Sequence, residues 1–189
     1  MLRSAEVLFA YVVVMANHQF IWRFSRFNQL DYHSPIGVIE ITATDQSITA
    51  VLFVAREQVV FEKTEATPEV LKCCYEQLDE YFKGSRQQFT VPYLHEGTVF
   101  QNKVWQALTN VPFGKTASYQ EIAQGIGNVK AVRAVGMTNS KNQLSILVPC
   151  HRVIGKNGQL TGYAGGLWRK EWLLEHERKG LLTKSSAKE

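Results

Sequence analysis

Two stretches in the first half of the chain carry the apolar and β-branched residues that are typical of half-buried β-strands. Residues 36–43 and 48–54 are rich in Ile, Val and Thr, and the polar residues 45–47 between them are suited to a turn. We therefore expect these two stretches to pair as neighbouring strands. A short apolar piece at 58–61 is a candidate for a further strand.

A helix is predicted after the strands. Residues 67–69, Thr-Pro-Glu, supply a capping residue, a proline at the first helical position and an acid in the first turn. Apolar residues recur at helical spacing over 70–82, and Gly84 is placed to end the helix. A small sheet followed by a helix is therefore expected in the first half of the chain.

The second half of the chain is mainly helical in pattern. Thr98 can cap a helix that runs to about Leu108, and residues 118–121, Ser-Tyr-Gln-Glu, form a capping box at the start of another. Gly127 ends this short helix, and a second helix is predicted over about 129–138. Two helices joined by a tight glycine turn match a helix-turn-helix, which is a common DNA-binding element.

The second helix of this pair has few side chains that could read bases. Arg133 is its one long polar side chain after the start of the helix, whereas major-groove readers usually carry several. Ala131, Ala134 and Gly136 would let the backbone approach a flat or narrow surface, and Arg133 could then enter a duplex. The alternative is a tightly packed core helix whose arginine is solvated.

The charge of the chain is uneven. The 189 residues carry a formal net charge of +4, which divides into −3 for residues 1–95 and +7 for residues 96–189. A basic C-terminal half suggests a polyanionic partner, with nucleic acid the first candidate. Residues 7–16 are apolar but too short to span a bilayer as a helix, so no membrane partner is expected. They are either a buried strand or an upstream extension, because Met15 could be an alternative start.

The three cysteines indicate a reducing compartment. Cys73 and Cys74 are adjacent and the total is odd, so a disulfide framework is not implied and a cytoplasmic location is expected. A metal site needs clustered ligands. The five histidines are scattered, and we therefore predict no metal site: His18, His33, His95, His151 and His176.

The segment LVPCHRVIG, residues 147–155, places a cysteine beside a histidine in an apolar run. Cys150 alone would be read as an inert core residue. A nucleophilic thiol needs a base, and His151 is the adjacent candidate. We predict a buried strand over 144–154, bent at Pro149. Adjacent side chains of a strand point to opposite faces, so contact between Cys150 and His151 needs a bridging water or a bend.

Glu177 is a candidate partner for the histidine. It lies on the same face of the last predicted helix, about 167–179, as Leu173 and Leu174. A carboxylate on a buried face needs a hydrogen-bonding partner, and His151 could supply it. A relay from Cys150 through water to His151 and Glu177 would follow. The alternative is that Glu177 lies in solvent at the end of the helix.

Several motifs in order resemble the O6-alkylguanine-DNA alkyltransferases, also called methylated-DNA–protein-cysteine methyltransferases. The resemblance is specific over about residues 98–178 and weaker over 32–95. It rests on these segments: Ser34-Pro35-Ile36-Gly37, Ser118-Tyr119-Gln120-Glu121-Ile122-Ala123, Ala131-Val132-Arg133-Ala134-Val135-Gly136, Pro149-Cys150-His151-Arg152-Val153, Gly162-Tyr163-Ala164-Gly165-Gly166 and Lys170-Glu171-Trp172-Leu173-Leu174.

The resemblance implies a direct repair reaction. Cys150, activated through His151 and Glu177, would take a methyl or other alkyl group from O6-alkylguanine, or from O4-alkylthymine, in double-stranded DNA. The transfer would be irreversible and would inactivate the protein after one turnover. Asn142 would order the site around Cys150. Tyr119 would aid rotation of the nucleotide and donate a hydrogen bond to the guanine.

The resemblance also implies how DNA is held. Ala131, Ala134 and Gly136 would lie near the DNA backbone in the minor groove, and Arg133 would fill the place of the flipped nucleotide. The alkyl pocket would be bordered by Tyr163, Ala164 and Val153. No cofactor is implied, and a monomer is expected. Some family members carry a structural zinc, but its ligands are not matched here.

The implied fold is an α/β N-terminal domain with an RNase H-like small sheet and helix, followed by a mainly α domain with a winged helix-turn-helix. Residues 1–30 would be an extension, 31–95 the N-terminal domain, 96–180 the alkyltransferase domain and 181–189 a tail. The chain departs from the family pattern at Val99, Val132, Met137, Thr138, Gln143 and Ser145. Three rival functions are a cysteine-free type of alkylated-DNA sensor, a Cys–His hydrolase and a plain DNA-binding regulator.

Overall fold

The computed structural model describes residues 11–16, 19–24 and 28–186. Strands β1 (Tyr11–Ala16) and β2 (Gln19–Phe24) pair antiparallel as a separate two-stranded sheet. Residues 11–16 of the apolar run at 7–16 thus form a strand, and the choice between a buried strand and an upstream extension stays a prediction. The remainder of the predicted N-terminal extension up to residue 27 lies outside the described residues.

The N-terminal sheet has three antiparallel strands in the order β3 (Asn28–Ser34), β4 (Gly37–Ala43) and β5 (Ile48–Phe53). The two predicted strands are confirmed, and β3 was not predicted. The expected strand at 58–61 is wrong. Val60 and Phe61 instead donate their backbone N–H groups to the buried carboxylate of Asp31, at 2.7 and 3.1 Å. A buried carboxylate needs such donors, and this need overrides the strand preference.

Helix α1 (Glu69–Phe82) packs against this sheet. Its apolar face contributes Leu71, Cys74 and Leu78 to the core, with no exposed surface. Gly84 ends the helix in the left-handed region, at φ +79°, as predicted. The predicted side-chain cap is wrong, because the Thr67 hydroxyl accepts a hydrogen bond from the Thr64 backbone instead.

The C-terminal half contains α2 (Val99–Thr109), α3 (Tyr119–Gly125), α4 (Val132–Ser140) and α5 (Leu167–Ser186). Thr98 and Ser118 both form capping boxes, with Gln101 and Glu121 respectively. Gly127, at φ +74°, makes the tight turn between α3 and α4, which confirms the helix-turn-helix. Two short strands, β6 (Ala117–Ser118) and β7 (Val153–Ile154), pair in parallel beside it.

The predicted strand over 144–154 is wrong for most of its length. The chain bridges β5 once, at Leu144 and Val51, and then passes through turns into a 3-10 helix, Cys150–Arg152. Ile146 is buried and left-handed, at φ +72°, an unfavourable conformation for a β-branched residue. The side chain of Asn142 donates to the Leu144 and Val148 carbonyls, so it replaces the missing strand partner.

Candidate active site

Cys150 lies at the start of the 3-10 helix with 4% of its surface exposed. Its Sγ accepts a hydrogen bond from Asn142 Nδ2 at 3.1 Å. The same amide is fixed on its other side, because Asn142 Oδ1 accepts from the Leu144 backbone N–H at 3.1 Å. The loop is thus wrapped around Asn142, and the amide presents an N–H to the sulfur.

Burial raises the pKa of the Cys150 thiol. The hydrogen bond from Asn142, the positive charge of Lys170 and the backbone N–H groups of Cys150 and His151 act in the opposite direction without cancelling it. The resting sulfur is therefore protonated at neutral pH, while the groups that would stabilise a thiolate are already in place. Such a thiol needs a nearby base to become a nucleophile.

His151 is the buried group that can act as this base. Its Nε2 donates to Glu177 Oε1 at 2.9 Å, and the side chain has no exposed surface. Burial lowers the pKa of the imidazole, and Glu177 opposes this only in part, so the ring is neutral at pH 7. With the proton on Nε2, the lone pair lies on Nδ1. Nδ1 is buried and has no hydrogen-bond partner among the described residues.

The 3-10 turn changes the expected geometry of Cys150 and His151. Successive side chains of a strand point to opposite faces, whereas three residues per turn place them about 120° apart. No hydrogen bond links the two side chains in the described part of the chain. A bridging water from Nδ1 to the thiol therefore remains the route that fits the hydrogen-bonding capacity of the two groups.

Glu177 is the centre of the hydrogen-bond network. Its Oε1 accepts from His151, from the Tyr81 hydroxyl and from Arg152 Nη2, each at 2.9 Å. Its Oε2 accepts from Arg152 Nε at 2.9 Å and from the Gly114 backbone at 2.8 Å. Burial alone would raise the pKa of this carboxyl, but His151 and Arg152 hold it well below its usual range. Glu177 is therefore an anion at neutral pH.

The reasoning from sequence missed three of the partners of Glu177. Arg152 stands inside the segment LVPCHRVIG, but the sequence pattern assigns no role to it. Its guanidinium also donates to the Val111 carbonyl at 2.6 Å. Tyr81 fits the apolar face of α1 and gave no separate signal. Gly114 contributes only a backbone N–H, which no side-chain pattern reveals.

Lys170 was also missed. It is fully buried, and its Nζ donates to the carbonyls of Val153 and Thr161 at 2.6 and 2.8 Å. Burial lowers the pKa of this ammonium to about 8, and the neighbouring Cys150 acts against that shift. Its charge faces the region of the sulfur without a carboxylate partner among the described residues. A buried lysine so placed favours a thiolate.

The three predicted pocket residues differ in exposure. Val153 is fully buried, Tyr163 is half-buried and Ala164 is exposed. Burial raises the pKa of the Tyr163 phenol well above its usual range, Cys150 adds to the effect, and Ser145 and Arg169 oppose it. Tyr163 is therefore close enough to the sulfur to sense its charge, and its phenol is neutral.

The predicted DNA-contacting residues lie on and before α4. Arg133 and Ala134 are exposed, whereas Ala131 and Gly136 are half-buried. A Cβ at Gly136 would lie 3.8 Å from the Tyr119 ring, which is an ordinary contact distance, so the ring lies over this position of α4. The Tyr119 hydroxyl lies 3.2 Å from that of Thr161, whose carbonyl Lys170 binds. This face is continuous with the loop that follows β7.

Among the residues that the structure describes, no helix combines the length and apolar character needed to cross a bilayer. Within 11–16, 19–24 and 28–186, no three or more His, Cys, Asp and Glu side chains gather as a metal site would require.

Two family models match the chain. The DNA-binding domain of 6-O-methylguanine DNA methyltransferase matches residues 99–179, and the ribonuclease-like domain of the same proteins matches residues 31–94. The methylated-DNA–protein-cysteine methyltransferase of Methanosarcina acetivorans is 44% identical over 148 residues, covering 77% of this chain and 95% of that protein. The constitutive enzyme of Bacillus subtilis is 44% identical over 152 residues, covering 77% and 92%.

Solved structures that are similar to this chain come from the same family as the sequence relatives. The O6-methylguanine methyltransferase of Mycobacterium tuberculosis superposes with a TM-score of 0.72 at 37% identity, covering 81% of this chain and 93% of that chain. The structure of its OGT in complex with DNA has a TM-score of 0.71 at 39% identity, covering 82% and 93%. The predicted fold, a ribonuclease-like domain followed by a DNA-binding domain, is confirmed. The chain belongs to the 6-O-methylguanine DNA methyltransferase family.

Proposed function

We propose that this protein repairs DNA by transferring a methyl or other alkyl group from the O6 atom of guanine, or the O4 atom of thymine, to its own Cys150. The family is that of the methylated-DNA–protein-cysteine methyltransferases. The observation that carries the assignment to Cys150 is the hydrogen bond that its sulfur accepts from the Asn142 amide, next in sequence to a neutral imidazole whose Nδ1 has no hydrogen-bond partner among the described residues. That imidazole is hydrogen-bonded to the Glu177 carboxylate, which is ionised at neutral pH.

The chemistry needs one bond formed and one broken. The proton of the Cys150 thiol passes through a water molecule to His151 Nδ1, and Glu177 stabilises the imidazolium that results. The thiolate attacks the alkyl carbon, the carbon–O6 bond breaks, and guanine leaves as an oxyanion that takes up a proton. Asn142 and Lys170 stabilise the negative sulfur before the attack.

The product explains a single turnover. An S-alkyl cysteine has no carbonyl group for water to attack, and the donors around Glu177 are all occupied in the network. The protein therefore acts as a reagent as well as a catalyst. The Cys–His hydrolase alternative would need a preorganised oxyanion site, and no feature described above favours one.

The proposal includes a mode of DNA binding. A duplex conceals the guanine O6, so the nucleotide must be flipped out. The exposed face of α4 carries Ala134 and Arg133 but few base-reading groups, which fits the minor groove with Arg133 taking the vacated place in the stack. Tyr119, between α4 and the loop after β7, would aid rotation of the nucleotide. Tyr163, Ala164 and Val153 would border the alkyl pocket.

A mass measurement tests the assignment. Incubation with a duplex that contains O6-methylguanine should add one methylene to the Cys150 peptide, in proportion to the protein present. A Cys150→Ala variant should bind the duplex without a change in mass. Release of methyl groups in excess over protein would indicate a hydrolase, and binding by the intact protein with no change in mass would indicate a sensor; either result would refute the proposal.

The organisation of the chain is part of the same proposal. We keep an extension at 1–30, domains at 31–95 and 96–180, and a tail at 181–189, with β3 beginning in the last residues of the extension and α5 continuing into the tail. We also propose a monomer that acts in the cytoplasm. All three cysteines are free, which a reducing compartment favours.

A further inference from the structure

Arg169, on the first turn of α5, joins the two halves of the protein. Its Nε donates to the carbonyl of Ile36 at 2.7 Å, and its Nη1 donates to the carbonyl of Gly165 at 2.7 Å. The guanidinium also stacks, with its Cζ 4.9 Å from the ring centroid of Phe53 in β5 and 4.4 Å from that of Trp168. A planar fork that binds two carbonyls while stacking between two rings is a role for which lysine is a poor substitute.

The turn between β3 and β4 is shaped to receive this side chain. The Ser34 hydroxyl donates to the Gly37 carbonyl at 2.6 Å and accepts from the Ile36 N–H at 3.2 Å, which fixes the direction of the Ile36 carbonyl. Gly37 has φ +111°, and a Cβ there would lie 2.9 Å from Arg169 Nη2. The Ser-Pro-Ile-Gly motif, which the proposed reaction does not use, therefore forms the binding site for the Arg169 side chain.

The other end of the contact lies in the loop at 162–166, which borders the proposed alkyl pocket. A Cβ at Gly165 would lie 2.9 Å from Phe53 Cδ2 and 2.9 Å from Tyr163 Cε1. Phe53 also makes an edge contact with Tyr163, with ring centroids 6.4 Å apart. The wall of the pocket is thus held against β5 of the N-terminal sheet, and Arg169 fixes the backbone of that wall.

We propose that Arg169 is a positioning residue that sets the width of the alkyl pocket, and that the N-terminal sheet controls through it which alkyl groups reach Cys150. This inference rests on the proposed function of the site. A loop that can move away from β5 gives more room beside Tyr163. Loosening the contact therefore favours bulky groups and reduces the confinement of a methyl group.

The test compares two substrates in an Arg169→Lys variant. Transfer to Cys150 is followed by mass, with duplexes that contain O6-methylguanine or O6-benzylguanine, and the second-order rate constants are measured. The ratio of the benzyl to the methyl rate constant should rise about fivefold, which corresponds to ~1 kcal/mol. Backbone hydrogen exchange at 162–166 should also become faster. Arg178→Lys, an exposed position on the same helix, should leave the ratio unchanged.

A second variant changes the partner of Arg169 in the N-terminal domain. Phe53→Leu removes the ring beneath Arg169, and it should raise the ratio in the same direction. The double variant should exceed either single variant by little, because both act on one contact. If Arg169 had a merely structural role, its loss would lower the methyl and benzyl rate constants by the same factor. An unchanged ratio of the two rate constants in both single variants would therefore overturn the inference. Absence of any transfer by the wild-type protein would instead refute the proposed function, and this inference with it.

Discussion

Replacing Glu177 by glutamine gives the sharpest test of the buried network. The carboxylate accepts five hydrogen bonds from four residues, and every one of these groups is a donor. A glutamine amide keeps one accepting oxygen and places an NH2 group against the donors on the other side. If that group takes the place of Oε2, it faces the Gly114 N–H and Arg152 Nε, and both lose their acceptor.

The loss of unfolding free energy can be estimated from the number of donors that are left without an acceptor. An unsatisfied buried donor costs about 1–3 kcal/mol, and the Arg152 guanidinium is charged and only 7% exposed in its side chain. Removing one partner of a buried ion pair costs about 3–5 kcal/mol. We expect Glu177→Gln to lower the free energy of unfolding by that amount. For a chain of this length the melting temperature should fall by roughly 6–20 °C.

Urea unfolding at pH 7 measures the change, and Glu175→Gln is the matched control. Glu175 lies on the same helix, and its pair with Lys179 is exposed, with 3.6 Å between Nζ and Oε2. The control should change stability by no more than about 0.5 kcal/mol. A loss below ~1 kcal/mol in Glu177→Gln would show that the carboxylate does not balance Arg152. Alkyl transfer should slow by about a hundredfold, since His151 loses the anion that stabilises its protonated form.

Three further results are expected. Because the folded pKa of Glu177 lies below its unfolded value, its contribution to stability is present above about pH 4.3 and is lost as pH falls below that; urea midpoints between pH 7 and pH 3 should drop less steeply in Glu177→Gln than in the wild type. Lys170→Met should raise the pKa of Cys150, seen as an alkaline shift in the pH dependence of iodoacetamide modification, and an unshifted profile would contradict the proposed role of Lys170. Ser118→Ala breaks a capping box and should cost ~1 kcal/mol in urea unfolding, whereas the exposed, non-capping Ser140→Ala should cost much less.

The features that could be predicted from sequence are those that neighbouring residues determine. The capping boxes at Thr98 and Ser118 depend on residues three positions apart, and both formed. The relation between His151 and Glu177 could be inferred because a carboxylate beside two leucines on a helix face needs a partner. Tyr81 could not be found in this way, because it lies 96 positions from Glu177 and looks like any core tyrosine.

The two strands that the sequence predicted wrongly, at 144–154 and at 58–61, failed because residues outside the two segments decide how their backbone groups are hydrogen-bonded. The segment from Leu144 to Arg152 has the composition of a buried strand, yet among the described residues its strand pairing is limited to one bridge to β5. The carbonyls of Leu144 and Val148 instead accept from the side-chain amide of Asn142, which lies before the segment. Composition reports that a segment is buried, but it does not report which groups satisfy the backbone. The strand expected at 58–61 failed for the same reason, since Asp31 supplied the acceptors.

The N-terminal domain is more than a support for the reactive half. Glu177 is anionic in a buried site, and the Tyr81 hydroxyl from α1 is one of the donors that stabilise its negative charge there. The same domain supplies the Ile36 carbonyl for Arg169, and Val51 bonds the loop that carries Asn142. The N-terminal domain thus makes three contacts with the site. They support the carboxylate that binds His151, the proposed wall of the alkyl pocket and the Asn142 amide that donates to the sulfur. A damaged N-terminal core should therefore lower the reactivity of Cys150 even where the DNA-binding helices remain folded.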